Sequence, residues 1–312
     1  METKILITRR INESAVKLLR EHFEVDYRNI NEPLSNDYLS ENAPKYDGIL
    51  STITEKFDEE LLKRASSRLK AISNMAVGLD NIDIKTAEKL GISIFNTPDV
   101  VTDSTADFTL AIGLAFLRQI VDSFEFIKKN EWKKWDPEIF NGRTLRNINW
   151  GIIGFGRVGK AVAERLKGFG VKIYYTDVNP INTIDFDFAT NLEFDELLNI
   201  SDVISIHIPL NQNTKGLINY NNFKKMQRKP LIINMARGSI VNTDDLIKAL
   251  NENLISGAAL DVFDPEPISS DHSILKYKNV LITPHIGTAT IDCRKEMAML
   301  AAQNLINFFK GL

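Results

Sequence analysis

The sequence predicts an α/β fold made of two doubly wound parallel-sheet domains, the second inserted into the first. Short β-branched runs alternate with helical patterns along most of the 312 residues, which is typical of parallel sheets covered by helices. The alternation stops after about residue 103 and resumes near residue 150 as a second series. A chain of this length also suits two domains of ordinary size. A final helix follows the second series, and we expect it to return to the first domain.

The first series begins with the strand KILIT at Lys4–Thr8 and a helix at Glu13–Phe23, whose apolar residues recur at helical spacing. Further strands are predicted at Gly48–Leu50, Ala71–Ser73 and Ile92–Phe95, and helices at Asp58–Ala65 and Asp83–Leu90. Gly91 is well placed to end the last of these helices, because glycine tolerates a left-handed conformation.

One long, mostly apolar helix is predicted from about Asp103 to Lys129, with Thr102 or Asp103 as its N-cap. A helix that is apolar on several faces must be buried. The residues leave two explanations open: a helix of the domain core, or a helix that also packs against a second subunit.

The second series predicts another parallel sheet. Its strands are expected at Trp150–Gly154, Lys172–Asp177, Asp202–Ile208, Leu231–Met235, Gly257–Val262 and Val280–Thr283. The last helix is predicted at about Ile291–Lys310, after this series, and in the most economical two-domain architecture it returns to the first domain.

Composition narrows the function classes. Apolar residues make up 44% and charged residues 25% of the chain, as in soluble globular proteins. The net charge of −3 gives no electrostatic reason to expect a nucleic acid or a membrane as partner. No segment approaches the roughly 18 consecutive apolar residues of a spanning helix, and the N-terminus lacks a signal-peptide pattern. The single cysteine, Cys293, fits a reducing compartment. We therefore expect a cytoplasmic protein, and no metal site is predicted.

A glycine-rich turn predicts a dinucleotide site. Gly154, Gly156 and Gly159 have the spacing G-x-G-x-x-G directly after an apolar strand and at the start of an amphipathic helix, which is the context that makes this pattern informative. The first glycine permits the tight turn, the second lets a pyrophosphate approach the backbone, and the third lets helix and strand pack closely.

The next strand predicts NAD as the cofactor. It ends in Asp177, 18 residues after Gly159, where a carboxylate can bind both hydroxyls of the adenosine ribose and would repel a 2′-phosphate. The residues that follow, Val178–Pro180, offer no arginine for such a phosphate. NADP is therefore the less favoured alternative.

The carboxyl ends of the second-series strands collect the candidate catalytic residues, because ligands bind beyond these ends in doubly wound sheets. His207, Arg237, Asp261 and His285 all lie there. Arg237 offers a planar fork suited to a substrate carboxylate. His207 precedes Pro209 by two positions and is expected to border the cofactor rather than to transfer protons.

His285 is the candidate acid and base, because imidazole exchanges a proton near neutral pH. Such a group needs an orienting partner on its other ring nitrogen. Glu266, held between Pro265 and Pro267, is the proposed partner. A pair of this kind would fix the imidazole tautomer and stabilise the imidazolium form.

The glycine turn is followed in order by NMARG (Asn234–Gly238), DVFDPEP (Asp261–Pro267) and PHIGTAT (Pro284–Thr290). Together these motifs closely resemble the D-isomer-specific 2-hydroxyacid dehydrogenases, in particular the glyoxylate/hydroxypyruvate reductase branch. The resemblance spans nearly the whole chain and includes MAVGLDNID (Met75–Asp83) and TPDVVTDSTADFTL (Thr97–Leu110).

The resemblance implies a flavodoxin-like substrate domain, residues 1–99 plus 287–312, and a Rossmann NAD domain, residues 100–286. It implies an oxidoreductase that transfers hydride between NAD and a small 2-oxo or 2-hydroxy acid. It also implies a homodimer formed through the long-helix region, in which a tryptophan reaches the neighbouring active site. Trp132 and Trp135 both lie in that region, and the sequence does not distinguish them.

The resemblance also assigns roles to individual residues. Arg237 binds substrate, His285 is the acid and base, Glu266 orients it, and the backbone amides of Val77 and Gly78 bind the substrate carboxylate. Asp261 holds the nicotinamide carboxamide. The other expected cofactor contacts are Thr105, Gly154, Phe155, Gly156, Arg157, Val158, Gly159, Asp177, His207, Pro209, Thr214, Met235, Ala236 and Gly287.

Some alternatives remain open within this resemblance. Phosphoglycerate and other D-2-hydroxyacid dehydrogenases share the motifs, and NAD-sensing regulators share the fold. Formate-dehydrogenase-like relatives are disfavoured, because they carry glutamine where this chain has Glu266. A regulator would keep the glycine turn but would not need Arg237, Glu266 and His285 together.

Overall fold

The computed structural model describes residues 2–181 and 184–312. It divides into two compact units, one formed by residues 2–101 together with Thr288–Leu312, the other by Thr102–Gly287. Each unit contains an all-parallel sheet with helices packed on it, which confirms the predicted fold class. None of the helices in these described ranges combines the length and apolar character needed to cross a bilayer.

The first unit contains a five-stranded sheet in the order β2-β1-β3-β4-β5, the order of flavodoxin-like sheets. The strands are β1 (Lys4–Ile7), β2 (Glu24–Tyr27), β3 (Gly48–Ser51), β4 (Ala71–Asn74) and β5 (Ser93–Phe95). All pairs are parallel. Strand β2 was not predicted from the sequence, because its residues EVDY are half-exposed or exposed and lack the apolar pattern of the other strands.

The helices of this part of the chain begin at side-chain caps. They are α1 (Glu13–Arg20), α2 (Asn36–Asn42), α3 (Glu59–Ala65) and α4 (Ile84–Lys89). The side chains of Asn12, Ser35, Asp58 and Asp83 each accept a hydrogen bond from the first turn of the helix that follows, which satisfies backbone donors that the helix itself cannot. Gly91 follows α4 with a φ of +71°, as predicted for the residue that ends this helix.

The second unit begins with two helices rather than the single long one predicted. These are α5 (Thr102–Leu117) and α6 (Ile120–Lys128), separated by Gln119 at a φ of +51°. The carbonyl of Leu117, the last residue of α5, accepts a hydrogen bond from the N–H of Arg143. A Cβ at Gly142 would lie 2.2 Å from that same oxygen, so the approaching segment must carry glycine there.

The seven-stranded sheet of this unit has the order β12-β11-β10-β9-β6-β7-β8. Its strands are β6 (Asn149–Ile153), β7 (Lys172–Thr176), β8 (Ala189–Asn191), β9 (Val203–Ile206), β10 (Leu231–Asn234), β11 (Gly257–Leu260) and β12 (Val280–Ile282). The helices between them are α7 (Arg157–Lys167), α8 (Phe194–Ile200), α9 (Tyr220–Phe223) and α10 (Thr243–Asn251). The strand order reverses between β6 and β9, and in Rossmann sheets ligands bind at this switch point.

The last helix, α11 (Ile291–Lys310), has the predicted bounds and belongs to the first unit. It packs on α1, β3 and β4. Cys293, Met297 and Leu305 are among its buried residues. Its return to the first sheet confirms the predicted connectivity.

The strands of the second sheet are shorter at their carboxyl ends than the sequence predicted. The runs ending at Asp177, Ile208, Met235, Val262 and Thr283 stop pairing one or two residues earlier. Met235 and Val262, which follow β10 and β11, remain buried although they lie outside the paired strands. These unpaired ends carry most of the candidate site residues.

Asp202 lies directly before β9, at the amino ends of the strands, and is 3% exposed. Its carboxylate accepts hydrogen bonds from the N–H of Asn149 and from the guanidinium groups of Arg143 and Arg228. Burial alone would raise the pKa of Asp202, but these donors hold its pKa below the ordinary value. The charged form of Asp202 therefore stabilises the second unit.

We predict that Asp202→Asn lowers the free energy of unfolding by about 2 to 4 kcal/mol at pH 7, because two arginines lose a buried partner. A carboxylate with a lowered folded-state pKa contributes its full stability above its ordinary pKa of 3.8, and loses it as pH falls through the folded-state pKa. Urea unfolding at several pH values should therefore show that the difference in unfolding free energy between wild type and Asp202→Asn becomes smaller below pH ~4. The control Asp195→Asn removes an exposed ion pair with Lys225 and should cost less than about 1 kcal/mol. A difference between wild type and Asp202→Asn that stays constant down to pH ~3 would contradict the stabilising role of the charged Asp202.

Candidate active site

The three glycines after β6 differ in the space around them. Gly154 has a φ of +91°, and a Cβ there would lie 2.8 Å from the carbonyl oxygen of His207. A Cβ at Gly159 would lie 2.1 Å from the carbonyl oxygen of Gly154, so only glycine lets the helix approach the strand. The Cβ position of Gly156 has no neighbour within 4 Å. Space for a ligand therefore lies beside the middle glycine.

The amino end of α7 fits a phosphate group. Gly156 is its N-cap residue and offers no side chain to the first turn, and the N–H groups at the start of a helix, which have no partner within the helix, can bind an anion. Arg157 and Val158 form this turn. Phe155 is fully buried and stacks on Tyr175 with ring centroids 3.9 Å apart. Its side chain supports the turn from below, so only its backbone can contact a ligand.

Asp177 lies directly after β7 and is tied to the glycine turn. One carboxylate oxygen accepts a hydrogen bond of 2.7 Å from the N–H of Phe155, and the other accepts one of 2.8 Å from the N–H of Asn179. A carboxylate has about four acceptor positions, so both oxygens keep capacity for ribose hydroxyls. The position is the one that the fingerprint predicts for ribose binding.

His285 and Glu266 form the contact that the sequence suggested. His285 Nδ1 lies 2.9 Å from Glu266 Oε2, and Glu266 Oε1 accepts a hydrogen bond of 2.7 Å from the N–H of Phe263. The backbone of the Asp261–Pro267 segment thus fixes the carboxylate, and the carboxylate fixes the imidazole. With Nδ1 engaged, Nε2 is the ring nitrogen left for proton exchange.

The backbone of His285 is in the left-handed region, with a φ of +54°. This conformation is uncommon outside glycine and persists where surrounding contacts enforce it. Asp261, which is 2% exposed, supplies them. Its carboxylate accepts hydrogen bonds from Thr283 Oγ1, the N–H of Ile286 and the N–H of Gly287, at 2.6, 2.8 and 2.7 Å. The loop that carries His285 is therefore held on both sides by one buried carboxylate.

The loop that carries Arg237 packs against the Glu266 segment. A Cβ at Gly238 would lie 1.9 Å from the carbonyl carbon of Phe263, so no larger residue fits. Asn234, at the end of β10 and 1% exposed, donates to the carbonyl of Arg237 and accepts from the N–H of Ala236. Arg237 Nη1 also donates to the carbonyl of Ala236. The arginine loop and the glutamate loop are thus fixed relative to each other.

The remaining predicted cofactor residues form two groups. Gly287 is in contact range of Met235 and Thr105, and its carbonyl accepts a hydrogen bond from Ser104 Oγ. Thr214 donates from its hydroxyl to the carbonyl of Pro209, which closes the loop after β9. Both groups lie at carboxyl ends of the strands or at the start of α5.

His207 follows β9, and both of its ring nitrogens are inaccessible to solvent. Within the described part of the chain neither nitrogen has a hydrogen-bond partner. Burial lowers the pKa of His207 to about 3, so its ring is neutral at physiological pH. This favours a wall residue over a proton donor, as the sequence reasoning did, and leaves His285 as the histidine suited to proton transfer.

In the first unit, Val77 and Gly78 lie in a turn after β4. Val77 is 42% exposed although it is apolar. Asn74, at the end of β4, donates to the carbonyl of Gly78 and to Asn81 Oδ1. Asn81 in turn donates to the carbonyls of Thr52 and Glu55. These two amides hold the turn and the loop after β3 together.

Sequence reasoning missed the residues that hold the site in shape. Asn234 stands inside the quoted NMARG motif and Asn74 directly before MAVGLDNID, but neither was given a role. The available signal was their position: a polar residue that ends an otherwise apolar parallel strand must find hydrogen-bond partners.

An α/β unit that combines a dinucleotide-binding turn with a hydrogen-bonded histidine and glutamate at the same sheet edge defines a class, the dinucleotide-dependent oxidoreductases. The model of the NAD-binding domain of D-isomer-specific 2-hydroxyacid dehydrogenases matches residues 110–287. This chain belongs to that family, and it is an oxidoreductase that acts on CH–OH groups with a nicotinamide cofactor.

Full-length relatives agree with the family assignment. The glyoxylate reductase of Thermococcus litoralis is 42% identical over 316 residues, covering 100% of this chain and 95% of its own. A crystal structure of a Thermus thermophilus protein superposes with a TM-score of 0.93 at 35% identity, covering 99% and 97% of the two chains. An NADPH-dependent glyoxylate/hydroxypyruvate reductase from Sinorhizobium meliloti, in complex with NADP and malonate, superposes with a TM-score of 0.84 at 28% identity. The match covers 99% of this chain and 94% of that chain.

We predict that Asp261→Asn lowers the free energy of unfolding by about 2 to 4 kcal/mol, because the amide cannot accept all three hydrogen bonds and its NH₂ group would face a backbone donor. Chemical denaturation at neutral pH measures this loss. The matched control is Asp187→Asn, an exposed position in the same unit, which should change stability by less than about 0.5 kcal/mol. Equal stability of the two variants would contradict the role of Asp261.

Proposed function

We propose that this protein reduces small 2-oxo acids, glyoxylate and hydroxypyruvate foremost, to the corresponding 2-hydroxy acids with NADH. The observation that carries the proposal is the contact between His285 and Glu266 at 2.9 Å. It supplies an oriented acid at the sheet edge where the nicotinamide binds in Rossmann domains. The relative named glyoxylate reductase in Thermococcus litoralis suggests the substrate class.

In this proposal the first unit binds the 2-oxo acid and the second binds the dinucleotide. The N–H groups of Val77 and Gly78 and the guanidinium of Arg237 bind the substrate carboxylate. Arg237 also polarises the carbonyl group, because a guanidinium forms paired, charge-assisted hydrogen bonds. The tie between Asn234 and the Arg237 loop supports this role, since a positioned donor loses little freedom on binding.

The proposed reaction is R–CO–COO⁻ + NADH + H⁺ ⇌ R–CHOH–COO⁻ + NAD⁺. The nicotinamide, when bound, supplies the hydride. His285 gives the proton on Nε2 to the carbonyl oxygen, where negative charge develops. Glu266 keeps the proton of Nδ1 in place, so the imidazole presents one tautomer throughout. Asp261 fixes the loop backbone beneath the ring.

NADH is the proposed cofactor in preference to NADPH. Asp177 stands at the ribose position with both oxygens already held by backbone N–H groups, so it cannot turn away from a 2′-phosphate without losing these bonds. Val178, which follows, is 97% exposed and carries no charge. The Sinorhizobium meliloti relative is NADPH-dependent, so the family includes both preferences and the residues at this position decide between them.

The test is a panel of glyoxylate, hydroxypyruvate, pyruvate and phenylpyruvate, assayed with NADH and NADPH in parallel. The proposal expects turnover of glyoxylate and hydroxypyruvate above the other two acids, with NADH preferred by its kcat/KM. Binding of NADH without turnover of any 2-oxo acid would instead indicate a regulator, and would overturn the enzyme function proposed.

We predict that His285→Ala lowers kcat for glyoxylate by about 10²- to 10⁴-fold, the usual contribution of a general acid. NADH binding, measured by fluorescence, should remain within about twofold of wild type. The matched control is His22→Ala, at an exposed position in the first unit, which should behave as wild type. Wild-type turnover in His285→Ala would exclude this residue as the proton donor.

We also propose a homodimer formed through α6 and the segment after it. Helix α6 exposes four large apolar side chains: Ile120 (53%), Val121 (46%), Phe124 (59%) and Ile127 (55%). Trp132 and Trp135 follow at 59 and 77%. A contiguous apolar surface of this kind is rarely left exposed to solvent and is typical of an interface. Of the long helix predicted as buried, the α5 part has buried residues and the α6 part has none. The exposed apolar side chains of α6 favour the second of the two explanations left open by the sequence, a helix that packs against a second subunit.

We predict that Phe124→Glu shifts the protein from dimer to monomer, because a charge at the centre of an apolar interface must be desolvated. Light scattering coupled to gel filtration measures the mass directly. Phe169→Glu is the control, since Phe169 is 43% exposed on the same unit and outside this surface, and it should stay dimeric. A wild-type protein that is monomeric at micromolar concentration would refute the interface.

We propose a cytoplasmic location and no nucleic-acid or membrane partner. The buried single cysteine suits a reducing compartment, and the net charge of −3 offers no attraction to anionic polymers or lipids.

A further inference from the structure

The turn after β4 has two consecutive peptide groups whose orientation is fixed from one neighbouring segment. The carbonyl of Ala76 accepts a hydrogen bond of 2.8 Å from the N–H of Thr97. The carbonyl of Val77 accepts one of 2.9 Å from Asn96 Nδ2. A peptide group is planar, so its carbonyl direction determines the direction of the N–H on the next residue. Thr97 therefore orients the N–H of Val77, and Asn96 orients the N–H of Gly78.

These two N–H groups are not used within the first unit. Among the described residues, neither the N–H of Val77 nor that of Gly78 donates a hydrogen bond to a protein atom. The backbone groups on either side of them do form hydrogen bonds. The N–H of Ala76 donates to the carbonyl of Asn74, and the carbonyl of Gly78 accepts from Asn74 Nδ2. The turn thus presents two adjacent, oriented donors, an arrangement that binds anions.

We infer that Asn96 is a positioning residue for the substrate carboxylate. It acts through the peptide between Val77 and Gly78 and does not itself touch the substrate. Its own backbone is held in turn, because Asn304 Nδ2 on α11 donates to the carbonyl of Asn96 at 3.0 Å. The inference rests on the proposed function, in which the N–H of Gly78 binds that carboxylate.

A structural role alone makes a different prediction. If Asn96 merely joined the segment after β5 to the turn, its loss would lower stability and affect all ligands alike. If Asn96 orients the N–H of Gly78, its loss weakens only ligands that carry the carboxylate. Hydrogen bonds to a charged group depend strongly on alignment.

The experiment compares wild type, Asn96→Ala and the matched control Asn42→Ala. Asn42 Nδ2 donates to the carbonyl of Tyr38, so it makes the same kind of bond in the same unit, on α2. For Asn96→Ala we expect KM for glyoxylate and the inhibition constant of oxamate to rise together, by about tenfold. We expect kcat and the Kd of NADH to stay within about twofold. Asn42→Ala should match wild type in all four quantities.

A KM and an oxamate constant that both remain at wild-type values in Asn96→Ala would overturn the inference, as would equal losses in oxamate and NADH binding. If wild type itself turns over no 2-oxo acid, the proposed function fails first, and this outcome is visible before any variant is made. If Asn96→Ala does not fold, Asn304→Ala replaces it. That variant removes only the support of Asn96, and we expect about a threefold rise in the same two constants.

Discussion

The buried carboxylate of Asp261 is the interaction on which the second unit's site depends. It accepts three hydrogen bonds from the segment that carries His285, and two of the donors are backbone N–H groups on the carboxyl side of that histidine. Without them a non-glycine residue would not keep a φ of +54° at this position. The orientation of the imidazole then follows from a second carboxylate, that of Glu266. Asp261 therefore fixes the backbone next to His285, and Glu266 fixes the imidazole ring.

The neighbouring loops reach the same edge by close backbone packing. Gly238 lies against the backbone of Phe263, and Gly159 against that of Gly154, at distances that no Cβ could occupy. The loops that carry Arg237 and Glu266 are therefore packed directly against each other. Such rigidity suits a reaction in which positioning and charge stabilisation supply most of the rate. It also explains why the functional residues sit where strand pairing ends, since the released backbone is free to form these contacts.

Much of this arrangement could be predicted from the sequence, because periodicity and glycine spacing are local signals. The alternation of strand and helix gave the fold class, and the order of strand ends brought His285 and Arg237 to one edge. The break at Gln119 was not predicted, and the hydrogen bond beside it, from the N–H of Arg143 to the carbonyl of Leu117, joins residues distant in the sequence. The contacts of Asp261 could not be predicted from the sequence either, since they join two segments more than twenty residues apart. Long-range hydrogen bonds to backbone groups leave no pattern in a single sequence.

In the proposed function the first unit would bind an anion in a different way from the second. Neither Val77 nor Gly78 carries a charge, and the turn offers their two backbone N–H groups instead. Hydrogen bonds from the N–H of Thr97 and from Asn96 Nδ2 to the preceding carbonyls orient these groups. Two adjacent donors of this kind suit a carboxylate, the part that all 2-oxo acids share. On this proposal the turn would select the class of substrate, and discrimination among its members must come from contacts with the rest of the molecule.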